Sequence, residues 1–175
     1  MKVGLYIGRF QPFHLGHLSV VKDALKEVDM IIIGIGSAQE GKTKKNPFTA
    51  KERKRMIKAA LKEAGIGSKK CSLVLIKDII ECDEAWVRHI LKTVPRFQIL
   101  YTGNPWMKRC FRNVKGMKIK NVKKEVDVSS TRIRGLFLKG KGWEKLVPKS
   151  VAKEIKRIKG VERIRKIWEK KGNFI

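Results

Sequence analysis

Apolar positions along the chain follow two patterns, short continuous runs typical of buried strands and a spacing of three or four residues typical of helices. The runs predict four strands, at residues 2–7, 30–36, 73–76 and 97–102. The helical spacing predicts helices at residues 16–28 and 84–93 and another that begins at the capping pair Thr49 and Glu52 and ends at Ala64. Strands that alternate with helices predict an α/β, doubly wound parallel sheet, which binds ligands beyond the carboxyl ends of its strands.

The rest of the chain is richer in helices. Residues 117–122 predict an edge strand, and Ser129 or Ser130 can cap a helix that runs through Leu138. The tail predicts two helices divided at Gly160. No repeat or low-complexity linker interrupts the chain. We therefore expect one domain over residues 1–175, with a core at 1–140 and a helical C-terminal part at 141–175.

The loop between the first strand and the first helix carries the most informative motif, GRFQPFHLGH at residues 8–17. His14 and His17 are three residues apart, so both rings can face one ligand from the first helical turn. Gly16 removes a side chain that would block a close approach, and Arg9 adds a planar cation suited to phosphate oxygens. Because a helix N-terminus also favours an anion, this loop predicts a phosphate site.

Polar residues also follow two other strands. Ser37 comes after the second strand, and Gly103 and Asn104 come after the strand at residues 97–102. Parallel strands end at one edge of a sheet, so we expect both loops to open onto the same crevice. The polar and basic segment at residues 39–47 either folds over bound phosphates or is a solvated loop.

The segment SSTRIR at residues 129–134 gives a second phosphate signal. Hydroxyl residues that open a helix, followed by Arg132 and Arg134, offer backbone N–H, O–H and guanidinium donors to one anion. Alone, this string is an ordinary helix cap with surface arginines. Together with the loop at residues 8–17, here called the histidine loop, it predicts a binding site for a polyphosphate.

The chain is strongly basic: 42 Lys and Arg residues against 16 Asp and Glu give a net charge of +26. Such a field attracts any polyanion, so a nucleic-acid-binding function is one alternative. Basic residues are dense at 108–124 and 139–171, but they are spread over several elements and no RNA- or DNA-binding motif is present. We therefore expect no specific nucleic-acid partner.

Hydrophobic residues make up 42% of the chain, enough to fill one compact core. No window of about 18 apolar residues predicts a membrane span, and the chain starts with a strand and not with a signal peptide. Cys71, Cys82 and Cys110 lack metal-ligand spacing and suit a reducing compartment. We expect a cytoplasmic protein without a membrane partner or a protein-bound metal.

These motifs resemble those of the nucleotidyltransferases with the H-x-G-H signature, which have a Rossmann-like fold. The longer string GRFQPFHLGH is similar to the archaeal-type nicotinamide mononucleotide (NMN) adenylyltransferases. Matching segments follow in the same order over nearly the whole chain: IIIGIGSAQ at 31–39, NPFTAKER at 46–53, Asp78 with Trp86 after it, YTGNP at 101–105, SSTRIR at 129–134 and VPKSVAKEIKRIKGVERIR at 147–165. The resemblance implies transfer of the adenylyl group of ATP to NMN, giving NAD and pyrophosphate, by a homo-oligomer that in this family is a hexamer.

The resemblance also implies roles for individual residues. The implied catalytic residues are Arg9, His14, His17 and Arg134. The implied ATP-binding residues are Gly8, Arg9, Phe10, His14, Gly16, His17, Ser129, Ser130, Thr131 and Arg134. The implied NMN-binding residues are Ser37, Lys45, Asn46, Trp86, Gly103 and Asn104, with Trp86 stacked on the nicotinamide ring and Trp106 as a second candidate for that pocket. Mg²⁺ is implied as the ion that accompanies ATP.

The residues suit direct transfer between the two substrates. No serine or cysteine has a recognisable activating partner, and none is needed when one substrate already carries a nucleophilic phosphate oxygen. The protein then acts by positioning cations and donors around oxygens whose charge grows in the transition state. A sister nucleotidyltransferase that uses pantetheine phosphate or flavin mononucleotide (FMN) as acceptor is the second alternative.

Overall fold

A computed structural model of the protein describes residues 1–79, 83–122 and 128–169. Its sheet has five parallel strands in the order β3-β2-β1-β4-β5, which are β1 (Val3–Gly8), β2 (Met30–Ile35), β3 (Cys71–Leu75), β4 (Ile99–Thr102) and β5 (Lys118–Asn121). Within the described ranges seven α-helices flank the sheet: α1 (Leu15–Ala24), α2 (Ala50–Glu63), α3 (Asp83–Thr93), α4 (Pro105–Phe111), α5 (Ser130–Lys139), α6 (Lys149–Arg157) and α7 (Gly160–Glu169). This architecture confirms the α/β, Rossmann-like, doubly wound fold. Cys82 and the basic residues at 123–124 and 170–171 lie outside the described residues.

β1 lies at the centre of the sheet, paired with β2 on one side and with β4 on the other. Val3 and Leu5 pack against α3 and α4, whereas Tyr6 faces the layer that contains α1, α2 and α5. β2 alternates in the same way and is buried on both faces, as its apolar run predicts. The carboxyl ends of the two strands therefore lie between two helical layers.

Two helices begin at the predicted caps. At the start of α2, Thr49 Oγ1 accepts a 3.3 Å hydrogen bond from the N–H of Glu52, and Glu52 Oε2 accepts a 2.8 Å bond from the N–H of Thr49. This reciprocal pair is the predicted capping box. At α5, Ser129 Oγ accepts a 3.1 Å bond from the N–H of Arg132, so Ser129 is the cap of the two candidate serines.

Two elements differ from the prediction. α1 ends at Ala24 and not at Val28, because the N–H groups of Lys26 and Glu27 bond to carbonyls three residues back and tighten the chain into a turn. α4 was not predicted, because a helix of seven residues is too short to show a clear period. It starts with an Asn104 cap and a proline in its first turn, and these two residues were the available signal.

α6 and α7 divide at Gly160, as predicted, and they contribute buried residues to the same apolar layer as α1, α2 and α5. A Cβ at Gly160 would lie 2.9 Å from the ring of Phe48, so glycine allows α7 to approach the segment before α2. Arg163 of α7 adds two hydrogen bonds to the carboxylate of Glu52, at 2.8 and 3.1 Å. The C-terminal helices thus support the start of α2. In the part of the chain that the structure describes, every helix is too short or too polar to cross a bilayer.

Candidate active site

His14 and His17 open α1 and cap it for each other. Nδ1 of His14 accepts a hydrogen bond from the N–H of His17 at 3.3 Å, and Nδ1 of His17 accepts one from the N–H of His14 at 3.2 Å. The H-x-G-H segment is therefore a capping box made of two imidazoles. Because Nδ1 of each ring is an acceptor, a neutral ring carries its proton on Nε2, and that N–H is the donor that each histidine can present to a ligand.

An aromatic cluster holds the two rings. They stack on each other with centroids 3.5 Å apart and an angle of 20° between their planes. The rings of Tyr6, Phe10 and Phe13 lie 6.2, 4.9 and 5.4 Å from that of His17. His14 is buried and His17 half-buried, so both rings are fixed before any ligand arrives.

Two glycines permit close packing in this loop. A Cβ at Gly16 would lie 3.0 Å from Val128 and 3.2 Å from Nδ1 of His14, so a side chain there would crowd the His14 ring. A Cβ at Gly8 would lie 2.9 Å from the ring of Phe10. Phe10 itself has a φ of 50°, an uncommon conformation for a bulky residue that its full burial maintains.

The start of α5 is joined to the same loop. Ser130 Oγ donates to the carbonyl of Pro12 at 3.1 Å. Arg134 donates through Nη1 to the carbonyl of Gln11 at 3.0 Å and through Nη2 to Thr131 Oγ1 at 3.1 Å. The structure therefore brings the histidine loop and the SSTRIR segment together.

A cleft of about 180 Å³ lies between the starts of α1 and α5. His14, His17, Ser129 and Ser130 line its polar side, and Val20 and Val122 line its apolar side. The N-termini of both helices carry partial positive charge and backbone N–H groups, so they make this cleft a favourable place for an anion.

Three guanidinium groups surround the histidine loop. Burial, and then the charge of Arg9, lower the pKa of Arg134. Burial also lowers the pKa of Arg53 to about 10, with the carboxylate of Asp78 acting in the opposite direction and Arg9 adding to the decrease. The exposed Arg9 repels both other cations, and an anion placed near the three groups would relieve that repulsion.

Arg53 is the residue of this region that the sequence analysis missed. It is fully buried, and it donates to the carbonyl oxygens of Arg9, Gly36 and Ser37 at 2.7, 2.6 and 2.9 Å. One guanidinium thus joins the loops that follow β1 and β2. Its position was readable, since Arg53 shares one helical face with the buried residues Met56, Ile57 and Ala60.

The loops after β2 and β4 reach the same edge of the sheet, as predicted. The N–H of Ser37 donates to Asp78 Oδ1 at 3.2 Å. Gly103 follows β4, and the N–H of Asn104 donates to Thr102 Oγ1 at 3.0 Å. Asn104 Oδ1 accepts a bond from the N–H of Trp106, so this side chain also caps α4.

Trp86 lies in the apolar layer between α3 and α4 with 8% of its surface exposed. Its ring is 4.6 Å from that of Trp106 and 5.7 Å from that of Phe111. Trp106 is half-buried, and its Nε1–H donates to Asp83 Oδ1 at 2.9 Å. Trp106 therefore offers more accessible ring surface than Trp86.

The segment before α2 is anchored at two points. Asn46 and Thr43 exchange hydrogen bonds of 2.9 and 3.2 Å, and the ammonium of Lys44 lies 4.5 Å from the ring of Trp168 on α7. Lys45 is exposed, whereas Asn46 is buried and its Oδ1 has no hydrogen-bond partner among the described residues. The residues predicted to bind NMN thus lie on four separate segments, in contrast to the single cleft that gathers the two histidines and the serines of α5.

A family model for cytidylyltransferase-like proteins matches residues 5–136, a range that contains both the histidine loop and the start of α5. The chain belongs to the cytidylyltransferase-like family. The nicotinamide-nucleotide adenylyltransferase of Pyrococcus furiosus is 45% identical to it over 168 residues, which cover 94% of this chain and 88% of that protein. The enzyme of the same name from Archaeoglobus fulgidus is also 45% identical over 168 residues, with coverages of 93% and 95%. These relatives confirm the resemblance to the archaeal-type enzymes.

Solved structures agree with this cytidylyltransferase-like assignment at the level of the fold. A bifunctional NMN adenylyltransferase/ADP ribose pyrophosphatase from Francisella tularensis is 26% identical with a TM-score of 0.72, covering 83% of this chain and 44% of that one. Its complex with AMP and a manganese ion is 24% identical with a TM-score of 0.77, covering 94% and 52%. This cytidylyltransferase-like chain therefore spans about half of that two-function protein.

Proposed function

We propose that this protein transfers the adenylyl group of ATP to NMN and so forms NAD and pyrophosphate. One observation carries the proposal: the starts of α1 and α5 lie side by side. His14 and His17 line the cleft between them, and Arg134 of α5 donates a hydrogen bond to the histidine loop at Gln11. The relatives from Pyrococcus furiosus and Archaeoglobus fulgidus, which bear the name nicotinamide-nucleotide adenylyltransferase, support the choice of acceptor.

ATP binds in the cleft with its phosphates at the two helix N-termini. The Nε2–H groups of His14 and His17 donate to phosphate oxygens, and the hydroxyls of Ser129 and Thr131 donate from the start of α5. Ser130, whose hydroxyl donates to the Pro12 carbonyl, contributes its backbone N–H. Arg9 and Arg134 neutralise the triphosphate. Gly8, Phe10 and Gly16 hold the loop in the conformation that aims these groups.

The transfer is a direct displacement at the α-phosphorus of ATP. A phosphate oxygen of NMN forms a bond to that phosphorus while the bond to the bridging oxygen of the β-phosphate breaks, and pyrophosphate leaves with the electron pair. No side chain has to form a covalent intermediate. Negative charge that grows on the phosphoryl and leaving oxygens meets fixed N–H and guanidinium donors, which need no rearrangement during the reaction.

NMN lies on the side of the cleft formed by the loops after β2 and β4. The implied contacts are with Ser37, Lys45, Asn46, Trp86, Gly103 and Asn104. An aromatic face suits the positively charged nicotinamide ring, and the Trp86 and Trp106 pair supplies that face. The buried Oδ1 of Asn46, which lacks a partner among the described residues, is an acceptor for a ribose hydroxyl.

Mg²⁺ accompanies ATP in this proposal. Within the described residues no three His, Cys, Asp or Glu side chains are close enough together to hold a metal ion. The donors at the cleft are hydroxyls and N–H groups, which suit an ion held mainly by phosphate oxygens and water. When bound, the ion shields the charge of the triphosphate.

We also propose a homo-oligomer, a hexamer by family resemblance, in the cytoplasm. Equilibrium sedimentation measures the oligomeric state of the protein directly.

The cysteines suit a reducing compartment. Cys71 and Cys110 are free thiols, and burial raises the pKa of Cys71 to about 12, so this cysteine is an unreactive core residue.

The test incubates purified protein with ATP, Mg²⁺ and NMN and measures NAD and pyrophosphate in equal amounts. The His17→Gln variant serves as the control for contaminating activity. Pantetheine phosphate and FMN are offered in parallel. Consumption of either one in preference to NMN would replace the acceptor in the proposal, and absence of transfer to all three would overturn it.

A further inference from the structure

The excess of positive charge in this chain is not balanced by ion pairs. With 42 basic residues and 16 acidic ones, at least 26 cations lack an acidic counterpart. Ion-pair networks stabilise proteins at high temperature, but such networks require both signs of charge. An unbalanced charge instead destabilises the compact state through self-repulsion. A bound anion would reduce this repulsion and so stabilise the folded state.

A row of lysines runs along the exposed side of α2. Lys54, Lys58 and Lys62 are four residues apart, so their side chains leave the helix on one side, with a rise of roughly 6 Å between neighbours. They line a cleft of about 620 Å³ between α2 and the edge strand β3. Its floor is apolar, formed by residues such as Leu61 and Leu73.

A second basic cleft adjoins the first. Lys62 also lines a cleft of about 680 Å³ between α2 and α6, together with Lys149 and Lys153. Because Lys62 borders both clefts, the five lysines form one continuous surface, here called the α2–α6 lysine surface. Exposed Lys69 and Lys70 extend it beyond the end of α2.

The nearby carboxylates neutralise only part of this surface: Glu63 lines the second cleft, where hydrogen bonds from Ser150 and the charge of Lys149 lower its pKa, and it is one carboxylate against five lysines. Glu63 accepts hydrogen bonds from the N–H groups of Lys149 and Ser150, at 3.2 and 2.7 Å, and so caps α6. Glu154 is paired with Arg55 and Arg157. Within the described ranges, no carboxylate oxygen lies within 4 Å of the ammonium groups of the five lysines. The surface therefore keeps its positive field.

We propose that the α2–α6 lysine surface binds nucleic acid through the phosphate backbone. Two adjoining clefts with a regular row of point charges fit a linear polyanion better than a compact one. The residues that line the clefts include no aromatic ring on which bases could stack and no Asn, Gln or Arg that could read base edges. Binding is therefore independent of sequence, in agreement with the absence of a nucleic-acid-recognition motif.

This surface is separate from the adenylyl-transfer site. None of its lysines lines the cleft at the starts of α1 and α5, and the buried Arg53 leaves α2 on a different side from Lys54, Lys58 and Lys62. Nucleic acid and ATP can therefore bind at the same time. NAD synthesis is expected to continue unchanged when the surface is occupied.

The test measures binding of two fluorescent 20-base-pair DNA duplexes of unrelated sequence by anisotropy, over a series of salt concentrations. The variant carries Lys54→Gln, Lys58→Gln and Lys62→Gln, and a control of equal net charge carries Lys92→Gln, Lys115→Gln and Lys141→Gln at exposed positions elsewhere. Each lost phosphate contact makes the negative slope of log K against log salt shallower by about 0.9, so the slope of the triple variant should be smaller in magnitude by roughly 2 to 3. The control should retain the wild-type slope, and both duplexes should bind with equal affinity.

Equal losses of duplex affinity in the triple variant and in the control would show that net charge alone is responsible for binding. An unchanged salt slope in the triple variant would place the binding site elsewhere. Either result overturns the proposal. So does equal binding of vesicles with anionic lipid or of polyglutamate, which would favour a membrane or an acidic protein as partner. Adenylyl transfer and thermal unfolding report whether the triple variant is folded. The single exposed Lys58→Glu variant provides an independent measurement of duplex binding, which should be weaker than that of the wild type.

Discussion

Arg53 donates a 2.7 Å hydrogen bond to the main-chain carbonyl of Arg9, so a fully buried arginine holds the backbone of an exposed one. The same guanidinium binds the carbonyls of Gly36 and Ser37. The histidine loop after β1 and the loop after β2, which we propose bind the ATP phosphates and NMN, are therefore joined by one side chain. Arg53 touches no substrate in the proposed reaction and acts as a positioning residue.

Replacing Arg53 with lysine should lower kcat/KM about tenfold or more, because a compact ammonium cannot present the planar fork that reaches three carbonyls. We expect the loss to appear in kcat as well as in both KM values, since both loops move. Steady-state kinetics with each substrate varied in turn measures this. The matched control is Arg55→Lys on the exposed side of the same helix. Equal activity of the two variants would remove the positioning role.

The histidine loop allows catalysis and helix capping to be separated. His17→Gln keeps a side-chain acceptor at the third helical position, as in an ordinary capping box, but loses the ring N–H. We expect kcat to fall about a hundredfold with little change in melting temperature.

His17→Ala loses both functions. It should show a similar fall in kcat and, in addition, a loss of about 1 kcal/mol of stability, or roughly 2–4 °C in Tm. Thermal unfolding followed by circular dichroism distinguishes the two variants. If His17→Gln retains near-normal turnover, the ring does not contact the reacting phosphates.

Arg134 is predicted to act through the shape of its guanidinium. Arg134→Lys keeps the charge but cannot hold both the Gln11 carbonyl and Thr131 in the present geometry. We expect a markedly higher KM for ATP or a lower kcat. Arg96→Lys, an exposed substitution of the same kind, and replacement of Lys118 should do neither. A parallel loss in these controls would mean that the general field and not a shaped site binds ATP.

Trp86→Ala should raise the KM for NMN with far less effect on the KM for ATP, because an aromatic–cation contact of about 0.5–2 kcal/mol belongs to one substrate only. The ring also packs on Trp106 and Phe111, so the melting temperature should fall as well. Phe111→Ala removes core packing from the same cluster and is the control for that loss. The decisive quantity is the change in the KM for NMN divided by the change in the KM for ATP. A ratio near one for Trp86→Ala would show that this tryptophan only packs in the core.

Acid should destabilise the protein in part through Glu154. Hydrogen bonds from Arg157 and Arg55, opposed by burial, lower the pKa of Glu154 to about 2 from an ordinary value near 4.3. A lowered pKa in the folded state stabilises the protein above the unfolded-state value, and this contribution is lost as the pH falls from about 4.3 towards 2. Urea unfolding between pH 5 and pH 2 should therefore show a shallower decline for Glu154→Gln than for the wild type. Parallel pH curves would contradict this assignment.

The predictions from sequence succeeded where the signal is local. The apolar run of β2, the Thr49 and Glu52 pair and the break at Gly160 each reflect interactions among neighbouring residues. The imidazole capping box was not foreseen, because histidine is an unusual cap and only the backbone geometry reveals the reciprocal bonds. The short helix α4 lacked a readable period.

Long-range contacts account for the rest. The inward turn of Arg53 was readable from its helical spacing, but its three carbonyl partners come from loops 16 or more residues away. The pairing of Arg163 with Glu52 spans 111 residues and has no local signature. Neither relationship changes the α/β pattern, and so neither could be inferred from it.

The Arg163 and Glu52 pair also gives the site an order of assembly during biosynthesis. The histidine loop is among the first segments of this sequence to be synthesised, yet the start of α2 is supported by Arg163 and by the approach of Gly160 to Phe48. At ribosomal rates of about 5–20 residues per second, those partners follow seconds later. A nascent chain that has formed β1, β2 and α1 therefore still lacks these contacts at the start of α2, which form only after α7 has been made and has docked.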